Sequence, residues 1–413
     1  MKAWLWLLLG MAASAVSWTY MHRVVLPWEH YVNVEHGRLL VQKGDLYPRW
    51  VGTRELLLNR RNPYGPEVSH EIQIGFYGHA IEQSYDQPES EIVDEQRFVY
   101  PVYVVFLLAP TIHVDFPVLQ AWAPLVLAVL TAMSVWLWIG SSRWEPTPVV
   151  LAAFTLFVLS TPQIAQGLRL RQLGFVVAFL IALSTWAVVH KHYFVAGVLL
   201  AFSTIKPQMV VLCLTWFLIW TFGDWKRRSR LAAGFASAFL LLAGTGEVLL
   251  PGWPRYFIEG LQAYRKYFPT TSILRLILGN WIGGVVSVLV VLMLIVFAWR
   301  RRDVTADSPD FVQVLAFFLI TTTLVMPLLT PYNQVLLLLP ASLLIRDWEA
   351  LSRLGRTGFA LLVAWPPLAS IALLVHPLQL DTLDRTPLLP SALVLLMPFM
   401  ILWLMYSRRQ RLA

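Results

Sequence analysis

Apolar residues in this chain gather in long unbroken runs, not in the short alternations of a water-soluble domain. About 20 consecutive apolar residues cross a bilayer as a helix. Runs of that kind fall at 3–20, 98–113, 117–140, 148–165, 172–190, 193–222, 231–250, 281–299, 311–326, 332–345, 358–376 and 388–406. They predict an all-α polytopic membrane protein with about 12 transmembrane helices, one integral membrane domain over residues 1–413. In that division 1–26 is the first span and 27–97 a long first extracytoplasmic loop. Spans 2–7 lie in 98–250, a second extracytoplasmic loop in 251–280, and spans 8–12 in 281–413. The run 193–222 has 30 residues with Lys206-Pro207 at its middle, so two half-helices are an alternative there. Runs 98–113 and 332–345 are short enough to be tilted, broken or re-entrant. If 98–113 also fails to cross, spans three to five change direction while everything after residue 223 keeps its side.

Composition narrows the class further. The chain is 57% hydrophobic, with mean hydropathy +0.61 and 14% charged residues, against roughly 25% charged in a soluble domain. Aromatic content is 13%, and aromatic side chains gather at bilayer interfaces. A soluble enzyme, a disordered tail protein and a disulfide scaffold are excluded, the last because Cys213 is the sole cysteine. Lys2, the following apolar run and Ala13-Ser14-Ala15 resemble a signal peptide. A retained first helix is expected instead, since the rest of the chain is itself membrane-embedded.

Charge sets the expected orientation. Residues 27–97 hold 12 acids against seven Lys and Arg, whereas the remainder holds 25 basic residues against 12 acidic. The surplus lies in Lys226, Arg227, Arg228 and Arg230; Arg300, Arg301 and Arg302; Arg346, Arg353 and Arg356; and Arg408, Arg409 and Arg411. The positive-inside rule makes these stretches cytoplasmic, and with them both termini. Membrane spans separate the clusters, which argues against a nucleic-acid surface. Within 27–97, Val34, Leu39, Leu40 and Leu56–Leu58 alternate with charges, which suggests amphipathic helices on the membrane surface. The acidic stretch Gln83–Gln96 reads as a mobile tip. Arg255, Arg265, Lys266 and Arg275 in 251–280 stand on the side where positive charge is scarce, so they call for a reason.

Few side chains could carry chemistry. Asp45, followed by Tyr47 and Trp50 and then by Asn62-Pro63-Tyr64-Gly65, places an acid among aromatics just outside the membrane. A carboxylate there could take the proton of an attacking sugar hydroxyl and stabilise oxocarbenium-like charge. The alternative is a helix-capping Asp45, or one paired with Arg49 or Arg54. Lys206, with Pro207 and Gln208, lies inside an apolar run. An intramembrane lysine marks a functional site by default, although one that snorkels to the interface is the alternative. Lys206 would suit an anionic phosphate. Gln166-Gly167-Leu168-Arg169-Leu170-Arg171-Gln172 joins two apolar runs and could either bind phosphate or be a cytoplasmic loop that obeys the positive-inside rule. Glu247 reads as a helix-end residue. His70, His79, His190 and His192 lack metal-ligand spacing, so neither a metal nor a cofactor is expected. Glycine-rich nucleotide loops and a serine-hydrolase motif are absent from the sequence.

These residues resemble glycosyltransferase family 87. Asp45 with Tyr47 and Trp50, then Asn62-Pro63-Tyr64, is similar to that family's first loop. Phe98-Val99-Tyr100-Pro101 resembles its Tyr-Pro motif, with Ala109-Pro110 closing the segment. Lys206-Pro207-Gln208 resembles its Lys-Pro element, and Thr330-Pro331-Tyr332-Asn333 its outside turn. Departures are Gly52-Thr53 as the only small pair after the acid, Arg60-Arg61 before the Pro-Tyr, and Asn333-Gln334 where some relatives have His. The resemblance implies a GT-C fold and an inverting transferase using a polyprenyl-phosphate sugar, typically mannose, on the outer face of a bacterial inner membrane. Asp45 would be the base. Lys206, Arg265, Lys266, Arg255 and Arg169 are the candidates to hold the donor phosphate. Tyr47, Trp50, Tyr64, Tyr100, Gln208, Tyr332 and Asn333 would line the substrate pocket. Partners would be the lipid-phosphate donor, a glycolipid or glycan acceptor and membrane lipid. The rivals are a secondary transporter or flippase, which predicts internal repeats and charges deep in several spans, and a non-catalytic envelope-assembly protein.

Overall fold

A computed structural model of the chain describes residues 3–28, 31, 43–81, 94–265, 271–327, 330–375, 390 and 396–412. Every regular element among them is helical. In chain order they are α1 (Ala3–Tyr20), α2 (Leu46–Asn59), α3 (Pro66–Tyr77), α4 (Val104–Leu108), α5 (Phe116–Ser141), α6 (Pro148–Ser160), α7 (Pro162–Arg169), α8 (Gly174–Val189), α9 (Tyr193–Ser203) and α10 (Pro207–Gly223). There follow α11 (Trp225–Leu249), α12 (Trp253–Tyr264), α13 (Ile273–Leu278), α14 (Asn280–Arg300), α15 (Pro309–Val325), α16 (Leu338–Arg346), α17 (Arg353–Val375) and α18 (Met397–Leu412). A 3-10 turn, Pro331–Leu337, leads into α16. The expected mobile tip before Asp94, Val34, Leu39 and Leu40 lie outside the described residues.

Among the described residues, α5, α11, α14 and α17 are each long and apolar enough to cross a membrane, and α6 with α7 makes a fifth when that bent pair is one span. Their outer faces suit lipid and not water. Trp122, Leu125 and Val126 on α5 and Trp281, Ile282 and Met293 on α14 are all exposed, a larger apolar surface than a soluble monomer tolerates. The protein is therefore an all-helical polytopic membrane protein. The twelve expected spans are not twelve long helices, and proline explains much of the difference.

A residue before proline is pushed out of the helical region, while proline itself suits the first helical turn. Pro162 accordingly ends α6 at Thr161 and restarts the chain as α7, bent by 62°. Pro207 does the same after Lys206, whose φ and ψ are −127° and 78°. The segment 98–113 contains only the five-residue α4 and a 3-10 turn that includes Pro110. Both of its ends lie against α2 and its neighbours: Tyr64 donates its hydroxyl hydrogen to the Tyr100 carbonyl, and Trp50 Nε1 donates to the Thr111 carbonyl at 3.1 Å. This segment holds no helix long enough to span a bilayer.

The run 193–222 doubles back. Tyr193 at its start packs edge-on against Trp220 near its end, with ring centroids 5.7 Å apart. Lys206 is the apex. α9 is held by close helix contact: a Cβ at Gly197 would strike the backbone of α11, and one at Gly234 would strike that of α9. Small residues permit such approach between membrane helices.

Two ends of the bundle follow. At one, Arg228 donates to the carbonyls of Trp220 and Arg302, both at 2.7 Å, and Val304 at 2.9 Å. Arg301 pairs with Asp310 there at 2.6 Å, Arg143 with Asp307 at 3.6 Å, and Arg346 donates to the Ser142 carbonyl. The other end holds Asp45, α2–α4, Lys206 and the 330–333 turn. These two departures set which end of the bundle each later turn reaches. One consequence is that the Arg169–Arg171 turn lies at the Asp45 end, not with the basic loops.

Candidate active site

Asp45 occupies the N-cap position of α2, yet its carboxylate makes no capping hydrogen bond. The nearest cation from its own helix, Arg49, donates from Nη1 to the Asp45 backbone carbonyl at 3.0 Å and lies 4.9 Å from the centroid of the buried Tyr100 ring. The residue is tied down by its backbone instead. Asp45 N–H donates to the Leu170 carbonyl at 2.8 Å. Gly44 makes that approach possible: its φ is +65°, and a Cβ would come within 2.7 Å of the same carbonyl oxygen. A left-handed conformation at this position favours glycine. The extramembranous cap thus docks, through one glycine, onto the turn that follows Arg169.

Lys206 approaches from the membrane domain. It is buried at the α9–α10 apex, and its Nζ donates to Asn333 Oδ1 at 3.1 Å and Gln172 Oε1 at 3.5 Å. The Tyr332 ring centroid is 5.4 Å away. A Cβ at Gly174 would stand 3.2 Å from the ammonium, so glycine there leaves it room. Tyr103 fixes the apex by its hydroxyl, 3.0 Å from Thr204 Oγ1.

The resulting cluster is one of opposed charges in a low-dielectric setting. Burial pushes the Asp45 carboxyl above its ordinary value, and the positive charges of Arg49, Lys206 and Arg169 pull it back. A second carboxylate, Asp94, feels the charges of Asp45 and Arg49. Burial pushes it up to about 6, against the Gln96 N–H that donates to it at 2.8 Å. Tyr264, at the end of α12, feels the same four neighbours: Asp94, Arg49, Asp45 and Tyr100.

Of the residues expected from the sequence, the structure brings together Asp45, Arg169, Lys206, Tyr100, Tyr332 and Asn333. Gln208 is half-buried in the first turn of α10, two residues from the apex. Tyr47, Trp50 and Tyr64 are packing residues. Tyr47 and Trp50 both clasp Phe116, at 4.7 and 5.3 Å, and Tyr64 stands edge-on to Phe98 at 5.1 Å. Arg255 is exposed and paired with Glu259 at 2.8 Å. Arg265 is exposed at the C-terminus of α12, and Lys266 lies outside the described residues. The sequence named Arg49 only as a partner for Asp45, offered Gln172 only as the end of a stretch that could bind phosphate, and did not mark Asp94 or Tyr264. Arg49 stood one helical turn after Asp45, which was the available signal. Nothing local marked the others. Among the described residues no group of three or more His, Cys, Asp or Glu could hold a metal ion.

Fold and site together define a polytopic membrane protein whose buried, charged site lies under a helical cap at one end of the bundle. Residues 98–331 match the model of glycosyltransferase family 87, more than half of the chain. The chain belongs to glycosyltransferase family 87 and is a membrane glycosyltransferase. The matched stretch includes Tyr100, Arg169 and Lys206 and begins after Asp45. Neither a curated protein nor a solved structure matches the chain. Family membership separates the enzyme reading from the transporter and assembly-protein readings.

Proposed function

We propose that the chain is an inverting, GT-C-type glycosyltransferase that moves a sugar, mannose, from a polyprenyl-phosphate donor to a lipid-linked or cell-envelope glycan acceptor. One observation carries this reading: the carboxylate of Asp45, at the N-cap of α2, lies in the field of the cations Arg49, Lys206 and Arg169 at the end opposite the basic loops. By the positive-inside rule that end is extracytoplasmic, here the outer face of a bacterial inner membrane. A lipid-phosphate donor reaches such a site laterally from the bilayer.

The acceptor hydroxyl oxygen attacks the anomeric carbon and its proton passes to Asp45. The bond from that carbon to the phosphate oxygen breaks, and its electron pair leaves with polyprenyl phosphate. Attack from the face opposite the leaving group inverts the configuration. The carboxyl's raised pKa brings its basicity nearer to the working pH, where a general base is most effective. Arg49, Lys206 and Arg169 stabilise the negative charge that collects on the phosphate. Arginine pairs phosphate bidentately and lysine as a point charge, and fixed charges in a water-poor site need no reorganisation as the bond breaks. A phosphate leaving group needs little acid assistance, so one carboxylate suffices.

The test is reconstitution in liposomes with radiolabelled polyprenyl-phosphate mannose and candidate glycolipid acceptors. The expected result is label in the acceptor, with an anomeric configuration opposite to that of the donor. Transfer from a nucleotide sugar in its place would overturn the donor assignment, and a retained configuration would overturn the single-displacement mechanism.

A further inference from the structure

Gln172 follows Arg169 on the turn between α7 and α8 and is 2% exposed. Its Oε1 accepts from Lys206 Nζ, as does Asn333 Oδ1. An ammonium group only donates, so both amides must present oxygen to it, and this fixes where their NH2 groups point. Asn333 Nδ2 donates to Thr330 Oγ1. Gln172 Nε2 has no partner at all, although it is buried. Lys206 itself uses two of its three N–H bonds. Buried side-chain amides are nearly always hydrogen-bonded, and the exceptions call for an explanation. Here the unpartnered donor sits on the very residue that holds the lysine.

We infer that Gln172 is a substrate-binding residue that donates, beside Lys206, to an oxygen of the donor's sugar-phosphate headgroup, and so selects among donors by where they carry that oxygen. This rests on the transferase reading above. The acceptor oxygen belongs either to a ring hydroxyl of the sugar or to the phosphate; the chemistry is the same. A site built to hydrogen-bond a substrate oxygen rejects an analogue that lacks it, because the buried group is then left unpaired.

Two variants separate binding from support of the lysine. Gln172→Glu keeps an oxygen for Lys206 and loses the N–H donor; Gln172→Met keeps the length and loses both. With protein in nanodiscs and short-chain polyprenyl-phosphate mannose, both variants should lose roughly tenfold or more in kcat/KM. Full activity in Gln172→Glu with loss in Gln172→Met would make Gln172 a support for Lys206 only and overturn the inference.

Monodeoxy analogues of the donor then locate the oxygen. If it is a hydroxyl, one analogue is poor for the wild type and costs Gln172→Met nothing further. If it is the phosphate, no analogue behaves so and inhibition by polyprenyl phosphate weakens in Gln172→Met. Losses that add for every analogue, with unchanged inhibition, would also overturn it. The transferase reading fails separately. If wild type neither binds nor uses the donor, both fall. If Asp45→Asn is inactive while the Gln172 variants match wild type, the transferase reading stands and the Gln172 inference alone falls.

Discussion

Both ends of the bundle draw an arginine inward, Arg228 buried and Arg49 half-buried, and they treat it differently. At the basic end Arg228 is 6% exposed, with its guanidinium spread over the Trp220, Arg302 and Val304 carbonyls and stacked 4.0 Å from the Trp220 ring centroid. Those carbonyls are backbone groups at helix ends and in the 301–308 turn, which need donors in any case. Arg228 therefore works as a clamp between α10, α11 and the start of α15. At the Asp45 end, Arg49 donates to the Asp45 backbone carbonyl, and its Nε is buried without a partner. Gln172 Nε2 and Gln163 Oε1 are in the same condition. A stranded buried polar group costs roughly 1–3 kcal/mol. The guanidinium of Arg228 is satisfied by the protein alone, whereas Arg49 and Gln172 each keep a buried polar atom without a partner.

Substitutions at the two ends should accordingly fail in different ways. The largest effect is expected from Asp45→Asn, which keeps shape but accepts no proton. Transfer should fall at least ~100-fold, the lower range of general-base assistance, with the protein still inserted and monodisperse. Glu55, in the same helix and paired with Arg61 at 3.0 Å, is the control, and Glu55→Gln should keep most activity. Two equally active variants would remove the carboxylate-base mechanism. Lys206→Ala should cost roughly 1.5–3 kcal/mol in kcat/KM for the donor, the range for charge-assisted bonds. An unchanged kcat/KM would return Lys206 to the role of an interfacial anchor.

At the opposite end the expected loss is in stability. Arg228→Met strands buried carbonyls and should destabilise by roughly 1–3 kcal/mol, read as a lower thermal-unfolding midpoint in detergent. Its transfer rate per folded molecule should stay at the wild-type level; a selective loss of rate would erase the contrast between the ends.

The pH profile sharpens it further. Asp45 must be ionised to act as base, and burial raises its pKa in the folded protein. Activity should therefore disappear, as pH falls, above the usual aspartate range near about 3.9. Lys206 holds that pKa down, so the residual activity of Lys206→Met should show its acid limb at higher pH than wild type. A limb shifted to lower pH would mean another group controls it. The smallest effect belongs to Arg255, exposed and away from the cluster: Arg255→Ala should change donor kinetics by less than about 0.5 kcal/mol.

Membrane class, the separate cap and the candidacy of Asp45 and Lys206 were legible because each is a local property. Twenty apolar residues either cross a bilayer or they do not, and an isolated lysine in such a run announces itself. Pro162 and Pro207 were equally readable as breaks, since proline acts on its immediate neighbours. What a break leads to was not. Whether 193–222 continues or turns back depends on Tyr193 meeting Trp220 and on the glycines that let α9 lie against α11, contacts between residues far apart in sequence. The same holds for 98–113, whose ends are held by Trp50 and Tyr64 of the cap. Only that path brings the 169–172 turn to the Asp45 end. So the sequence by itself determined which residues leave water and where the chain must bend. Tertiary structure decided that Arg49, Gln172, Asp94 and Tyr264 share a site with Asp45, because long-range packing sets those distances and no local pattern encodes them.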